Sequence, residues 1–310
     1  MTQKVLARFK DAVKIEIKHY KDVFCRPNQD FQLQKSAQKL ILAVKKDNFI
    51  YKGPEICQNF GSNNFYYTSS ILNCIYHCDY CYLQGMYPSA NITAFVNIDD
   101  FFEAVSREQR SRSVYLTVSY DTDLLAFENI IPFSSMWIEF AKRHRNTTIE
   151  IRTKSANYSS ISHLDCVDNV ILAWTLSPEA VIEQYEKWTP TLKARLFSIE
   201  KALSDGWKVR LCFDPVIKTE NYRETYGECI RQVFSRLPGG KIHDVSIGAF
   251  RMSAEYLKRI RKSRIDLELV HYPFECRNGV ARYPEALEKE LVNWVYECIG
   301  QYIAKKRIFL

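Results

Sequence analysis

Read as a pattern of apolar and polar positions, the chain changes rhythm near Phe65. From there, short runs of β-branched and aromatic residues alternate with longer stretches whose apolar residues recur three and four apart. The runs FYYTSSIL (65–72), VYLTVSY (114–120), TIEIRT (148–153), VILAWTLS (170–177), WKVRLCF (207–213), DVSIGAF (244–250) and IDLELVH (265–271) predict strands, several of them apolar on both faces. The stretches IDDFFEAVSREQ (98–109), FSSMWIEFAKRH (133–144), TLKARLFSIEKALSDG (191–206) and ENYRETYGECIRQVFSRL (220–237) predict helices. Asp205-Gly206 before Trp207 marks a helix end leading into a strand. Such alternation predicts βα units around a parallel sheet, with ligands at the C-terminal ends of its strands. Upstream, residues 1–52 read as an N-terminal extension, with a helix over the first two dozen residues and a short strand in KLILAVKK. Downstream, residues 286–308 predict a last helix packed across the sheet, with Trp294, Val295, Cys298 and Tyr302 as core.

Composition narrows the class. Hydrophobic residues make up 46% and charged residues 25%, too apolar for a disordered chain, and ten glycines and ten prolines exclude collagen-like designs. No apolar run approaches the roughly 18 residues of a membrane span, and the N-terminus lacks an uninterrupted apolar core. The expectation is a cytoplasmic protein with no membrane partner. Lys plus Arg is 43 against 36 acidic residues, a formal charge of +7 that favours polyanions. Lys258, Arg259, Arg261, Lys262 and Arg264 crowd into YLKRIRKSR, and Arg107, Arg110 and Arg112 form a smaller group. Such a stripe neutralises phosphates or is a solvated helix face.

Ten cysteines in a cytosolic chain argue against a disulfide framework. Cys25, Cys57, Cys166, Cys212, Cys229 and Cys298 are scattered, and Cys212 reads as core. Cys74, Cys78 and Cys81 are clustered just after the first strand, spaced four and three apart. One irregular loop can wrap such thiolates around an iron–sulfur cluster or a zinc ion. For zinc, His77 is the candidate fourth ligand, but no second CxxC or HxxxH half exists.

CxxxCxxC at the end of the first strand of a βα series resembles the radical S-adenosylmethionine superfamily. The resemblance implies a partial (β/α)6 TIM-like barrel and a [4Fe–4S] cluster on Cys74, Cys78 and Cys81. It also implies S-adenosylmethionine on the open iron, with backbone at Tyr80 against its adenine. Reductive cleavage then yields a 5′-deoxyadenosyl radical that abstracts hydrogen. CDYCYLQGMYPSANITAFVNIDD (78–100) is similar to the corresponding stretch of the spore photoproduct lyase family, which reverts 5-thyminyl-5,6-dihydrothymine in DNA to two thymines. Weaker likenesses follow in order: KLILAVKKDNF, RTKS, TLSPEAVIEQYEK and CRNGVARY. They place cosubstrate binding on Lys154, Thr175 and Ser177 and substrate binding on Arg277. The family's hydrogen-donor cysteine falls on Tyr120, its next serine on Thr122, which keeps the hydroxyl and counts with the cosubstrate ligands, and a late tyrosine on Asn278.

The expected function is repair of a thymine lesion in DNA, fed by an external one-electron reductant of flavodoxin or ferredoxin type. Lys258, Arg259 and Arg261 join Arg277 and Asn278 as candidate substrate contacts. Tyr80 and Tyr82 flank the third cysteine as candidate hydrogen relays, or pack the loop; Tyr120 and Cys276 are candidate donors in place of the missing thiol. Asp121 and Asp123 bind a ribose or base, or cap the next helix. The divisions expected are an extension (1–52), a barrel (53–250) and a C-terminal cap (251–310). The alternatives are the same cofactors with another nucleobase, a peptide or a small molecule as substrate, and a non-enzymatic iron–sulfur or zinc protein that binds nucleic acid.

Overall fold

Six parallel strands lie side by side in sequence order: β1 (Phe65–Tyr67), β2 (Val114–Thr117), β3 (Thr147–Thr153), β4 (Val170–Thr175), β5 (Lys208–Val216) and β6 (Asp244–Ala249). The computed structural model describes residues 1–310. Tyr67 pairs with Thr117, Thr117 with Glu150, Leu172 with Ile151 and Val209, and Leu211 with Val245. Tyr51–Lys52 adds an antiparallel edge beside β1, and Ile308–Phe309 a parallel edge beside β6. The helices α1 (Ile98–Glu108), α2 (Phe133–Arg143), α3 (Leu192–Ser204) and α4 (Tyr222–Arg236) stand in the connections. Only the 3-10 turn Asn157–Ser160 lies between β3 and β4. The result is an open six-strand half-barrel, as the alternating pattern predicts. Beyond it come α5 (Ala254–Ser263), a hairpin of Glu275–Arg277 with Val280–Arg282, and α6 (Glu285–Ile299).

The two faces of the sheet differ. One face of β3 and β5 carries Ile149, Ile151, Val209, Leu211 and Phe213, all fully buried. The other carries Glu150, Arg152, Arg210, Cys212 and Asp214. Arg210 Nη1 lies 2.5 Å from both Glu150 Oε2 and Tyr115 Oη, and its other nitrogens pair with Asp244. Since two strands, β3 and β4, lie between β2 and β5, a side chain spanning them must lie on the concave face. The lumen is therefore lined by a satisfied ionic network, and Phe60 closes it from the 53–64 loop with its ring 3.3 Å from the guanidinium carbon of Arg210.

This network fixes the acid stability. Burial opposes ionisation of Glu150, yet Arg152 and Arg210 hold its pKa below the usual carboxylate value; burial likewise opposes Arg251 and Arg152 at Asp214, and the cations win. A lowered folded pKa contributes stability that is full above the unfolded value of about 4 and lost as pH falls through the folded one. Melting temperatures should therefore hold down to about pH 5 and then drop as the unfolded carboxylates take up protons first. Asp214→Asn should flatten that drop.

Several expectations need correction. Residues 265–271 are not a strand; Glu268–His271 is a helical turn, because Leu267, Leu269 and Val270 all bury toward one side. The first two dozen residues form only two short helices, Thr2–Leu6 and Lys21–Phe24, since the charged stretch between them offers no continuous apolar stripe. Residues 65–72 split: the chain leaves the barrel at Thr68, and Ile71–Leu72 pairs with Ile92–Phe95, which also pairs with Leu40–Ala43. The last helix stops at Ile299 before Gly300. Val295 is buried and Trp294 and Cys298 partly so, but Tyr302 is exposed, stacked on Phe234. No helix is long and apolar enough to cross a membrane.

Candidate active site

Cys74, Cys78 and Cys81 sit on a loop that leaves Ile71–Leu72 and ends in the helical turn Leu83–Met86. The loop is pinned by backbone. Residues 77–78 pair with 186–187 as two short antiparallel strands, and Asp79 N donates to Tyr185 O at 2.7 Å. Gln84 Nε2 donates to Cys78 O at 2.9 Å, and the Lys35 ammonium donates to Cys74 O. The three thiols line one small pocket of about 10 Å3 together with Lys35, Asn73 and His77. No three His, Cys, Asp or Glu side chains converge closely enough to bind one metal ion. Asn73, held at φ +67°, leaves its buried Oδ1 without a partner. His77 is turned to Gln32, 2.7 Å from its Nε2.

Burial and two nearby cations act against each other here, and burial prevails. Burial raises the pKa of all three thiols; Lys35 opposes it at Cys74 and Cys81, and Lys154 at Cys78 and Cys81. Thiols buried beside two ammonium groups ionise when a cation arrives to take them.

Glu186 organises the next layer. It accepts from the hydroxyls of Tyr80 and Ser177 (2.8 Å for Ser177) and from Arg195 Nη2 at 2.5 Å, all buried. Burial opposes its ionisation, but Arg195 and Lys154 keep its pKa low. Arg195 Nη1 also donates to Thr175 O at 3.1 Å, tying the end of β4 to this cluster. Lys154, at the end of β3, places its ammonium 5.4 Å from the Tyr80 ring centroid. Asp123 accepts from Lys154 N at 2.7 Å, from Thr153 Oγ1 at 2.7 Å and from Ala126 N at 3.1 Å, so it caps the following helical turn. Beside it, Thr122 Oγ1 is buried with no partner. Tyr82 donates to Tyr120 O at 2.7 Å and to Asp121 at 3.3 Å; Asp121 also accepts from Tyr87 and Ser69.

The family model described as Spore photoproduct lyase matches residues 61–273 of this chain. The chain belongs to the spore photoproduct lyase family. With it comes the enzyme class, radical S-adenosylmethionine lyases. The spore photoproduct lyase of a Geobacillus strain is 24% identical over 75% of this chain and 71% of its own length. Those of Clostridium acetobutylicum (24% identical, 62% and 58%) and Bacillus subtilis (22%, 75% and 66%) are similar too. A solved spore photoproduct lyase complexed with dinucleoside spore photoproduct superposes with a TM-score of 0.85, at 18% identity, over 99% of this chain and 93% of that one. A mutant form with bound AdoMet and the same dinucleoside gives 0.84. These solved structures bear out the half-barrel.

Within this spore photoproduct lyase fold, the site residues expected from sequence fall into three places. Cys74, Cys78, Cys81, Tyr80, Lys154, Thr175 and Ser177 gather around the cluster loop and Glu186, while Tyr82, Tyr120 and Thr122 stand at the end of β2. Cys276, Arg277 and Asn278 lie apart, on the hairpin. Cys276 is exposed and lines an open groove with Lys258, Arg261 and Lys262. Arg277 is already engaged, 2.5 Å from Glu288 and 3.0 Å from Tyr283 O. The basic segment is not one free stripe: Arg259 donates to Gly85 O at 3.2 Å, Arg261 to Val270 O at 2.6 Å, and Arg264 is buried against Asp79 at 3.1 Å. Sequence reasoning found no role for Lys35, Gln32, Cys57, Glu186 or Arg195. Arg195 carried a weak signal, a charge among Leu192, Leu196 and Ile199; Glu186, in the polar run EQYEK, and Lys35 carried none.

Proposed function

We propose that this member of the family repairs 5-thyminyl-5,6-dihydrothymine in DNA, using a [4Fe–4S] cluster on Cys74, Cys78 and Cys81 and S-adenosylmethionine. The observation that carries the reading is the cysteine arrangement: three thiols of one loop line the same pocket, and three thiolates suit a cubane, whose iron atoms take one sulfur each. When bound, the cluster supplies the electron that cleaves S-adenosylmethionine to a 5′-deoxyadenosyl radical. The chain's own residues do the rest. Lys35 and Lys154 offset the thiolate charge. Lys154 is the cation placed to pair with a cosubstrate carboxylate, and Thr122, next in sequence to the Asp123 that accepts from Lys154 N, has a buried hydroxyl without a partner. Glu186, saturated by Tyr80, Ser177 and Arg195, holds Tyr80 so that its backbone can meet an adenine. Lys258 and Lys262, in the groove beside the hairpin, are the phosphate contacts of a duplex bent to expose the lesion. Divided in this way, residues 1–52 brace the cluster loop, 53–250 hold the cofactors, and 251–310 meet the DNA. An external flavodoxin- or ferredoxin-type protein provides the electron, in the cytoplasm.

Tyr120 at the family's donor position, Asn278 at its late tyrosine and Arg277 bound to Glu288 favour a second reading, the same cofactors acting on another substrate. Anaerobic turnover with the dinucleoside spore photoproduct and dithionite decides. Thymine-pair product, with or without accumulated 5′-deoxyadenosine, supports repair; 5′-deoxyadenosine alone supports the second reading. Neither, in protein with a full complement of iron, overturns both.

A further inference from the structure

The position of the family's donor thiol is filled by Tyr120, yet a thiol stands against it from another part of the chain. Cys57 Sγ lies 3.8 Å from the Tyr120 hydroxyl. Cys57 belongs to the 53–64 loop that closes the open side of the barrel, and the carbonyl of its neighbour Ile56 accepts from Arg251 Nε, 195 residues away, at 3.0 Å. Arg251 is itself held by Asp214 at 2.9 Å and 3.2 Å, and Asp214 lies 3.6 Å from Arg152. These groups come from the ends of β3, β5 and β6, so Cys57 is anchored at the C-terminal mouth of the lumen, where such folds bind ligands. Tyr120 is fixed on its other side: its ring centroid is 4.1 Å from that of Tyr67 and 6.0 Å from that of Tyr82, and its carbonyl accepts from the Tyr82 hydroxyl.

Burial raises the pKa of Cys57, with the Tyr120 contact, Arg251 and Arg152 acting against it. The group is a neutral thiol, which has an S–H hydrogen to give, where a thiolate has none. Tyr120 is likewise a neutral phenol, its pKa raised by burial and by Cys57.

We propose that Cys57, relocated from the barrel-closing loop, is the hydrogen-atom donor that ends turnover, and that Tyr120 recharges it. This rests on the repair reading above. In the first step the Cys57 S–H bond breaks and a C–H bond forms on the carbon-centred thymine radical left after the bridging carbon–carbon bond has opened, leaving a thiyl on Cys57. In the second the Tyr120 O–H bond breaks, the S–H bond re-forms, and the single unpaired electron rests on the phenoxyl. No electron is gained or lost in either step. The cycle closes when the methyl group of 5′-deoxyadenosine returns one hydrogen atom to the phenoxyl, the same number that its radical took from the substrate. Sulfur–hydrogen and phenolic oxygen–hydrogen bonds are of similar strength, so the exchange between them is close to balanced. An S···O contact with no intervening residue permits it.

The test compares wild-type protein with Cys57→Ala, Cys57→Ser, Tyr120→Phe and the exposed-cysteine control Cys166→Ala, all anaerobically reconstituted and matched by iron content and circular dichroism. With the dinucleoside spore photoproduct in deuterium oxide, wild type and Cys166→Ala should place deuterium from the exchangeable thiol in the repaired product. Both Cys57 variants should still form 5′-deoxyadenosine, while repaired product falls at least about tenfold and its deuterium content falls with it. Tyr120→Phe should complete fewer turnovers per protein while keeping deuterium in the first product formed. A second measurement needs no catalysis: in metal-free protein the dinucleoside should slow maleimide labelling of Cys57 and leave exposed Cys25 and Cys166 unaffected. Wild-type rate and deuterium content in Cys57→Ala would overturn the assignment and leave the repair reading standing, as would unprotected labelling of Cys57 alongside active repair. Failure of wild type itself to convert the dinucleoside would remove the repair reading and this inference with it.

Discussion

Cys78→Ala should leave a folded protein that binds almost no iron after anaerobic reconstitution and forms no detectable 5′-deoxyadenosine. Cys78 is the buried member of the three thiols, and its backbone pairs with Glu186. The side chain can therefore be removed without releasing the loop, whose hold comes from main-chain bonds of Asp79 and from Gln84. Two cysteines cannot retain a cubane that three hold. Iron content, the visible absorption of the cluster and nucleoside yield should fall together. Normal iron content in the variant would place the metal elsewhere.

Glu186→Ala should be the most destabilising single change near the site. It strands a fully buried Arg195 and leaves the hydroxyls of Tyr80 and Ser177 without their acceptor. Removing one partner of such a pair costs about 3–5 kcal/mol, a large share of the roughly 5–15 kcal/mol that a domain has. Glu186→Gln keeps the shape and one acceptor oxygen and should cost less. Urea midpoints give the stability order wild type, Glu186→Gln, Glu186→Ala. S-adenosylmethionine affinity should weaken in the same order, since Tyr80 and the end of β4 are positioned through Glu186. Equal midpoints for all three would show that Arg195 finds compensation elsewhere.

Much of this was legible in the residues. The half-barrel follows from short β-branched runs at regular spacing, and the cluster from three cysteines at four and three. Local patterns write these features, and local patterns can be read. What escaped reading depends on tertiary contact. Lys35 reaches Cys74 from an unremarkable helical turn 39 residues earlier, and Cys57 meets Tyr120 across 63 residues. Nothing in TIEIRT or WKVRLCF says which way their charges face; in the fold they turn inward, where Arg210, Glu150 and Asp244 satisfy one another. IDLELVH has strand composition, yet its Glu268–His271 forms a helical turn that buries Leu269 and Val270. YLKRIRKSR reads as one basic stripe, and only the fold separates Lys258 and Lys262, open to the groove, from Arg264, which is not.

Arg264 follows the last turn of α5, and its guanidinium grips the carboxylate one residue after Cys78 and, through Nη1, Gln84 at 3.3 Å. Gly85, in the same turn as Gln84, leaves no room for a methyl group against the backbone of Tyr256, so the two elements also touch directly. The surface that carries Lys258 and the loop that carries the thiols therefore behave as one lever. A polyanion that tilts α5 would be felt by the metal-binding loop, and by reciprocity filling that loop would alter the grip on the polyanion by the same factor.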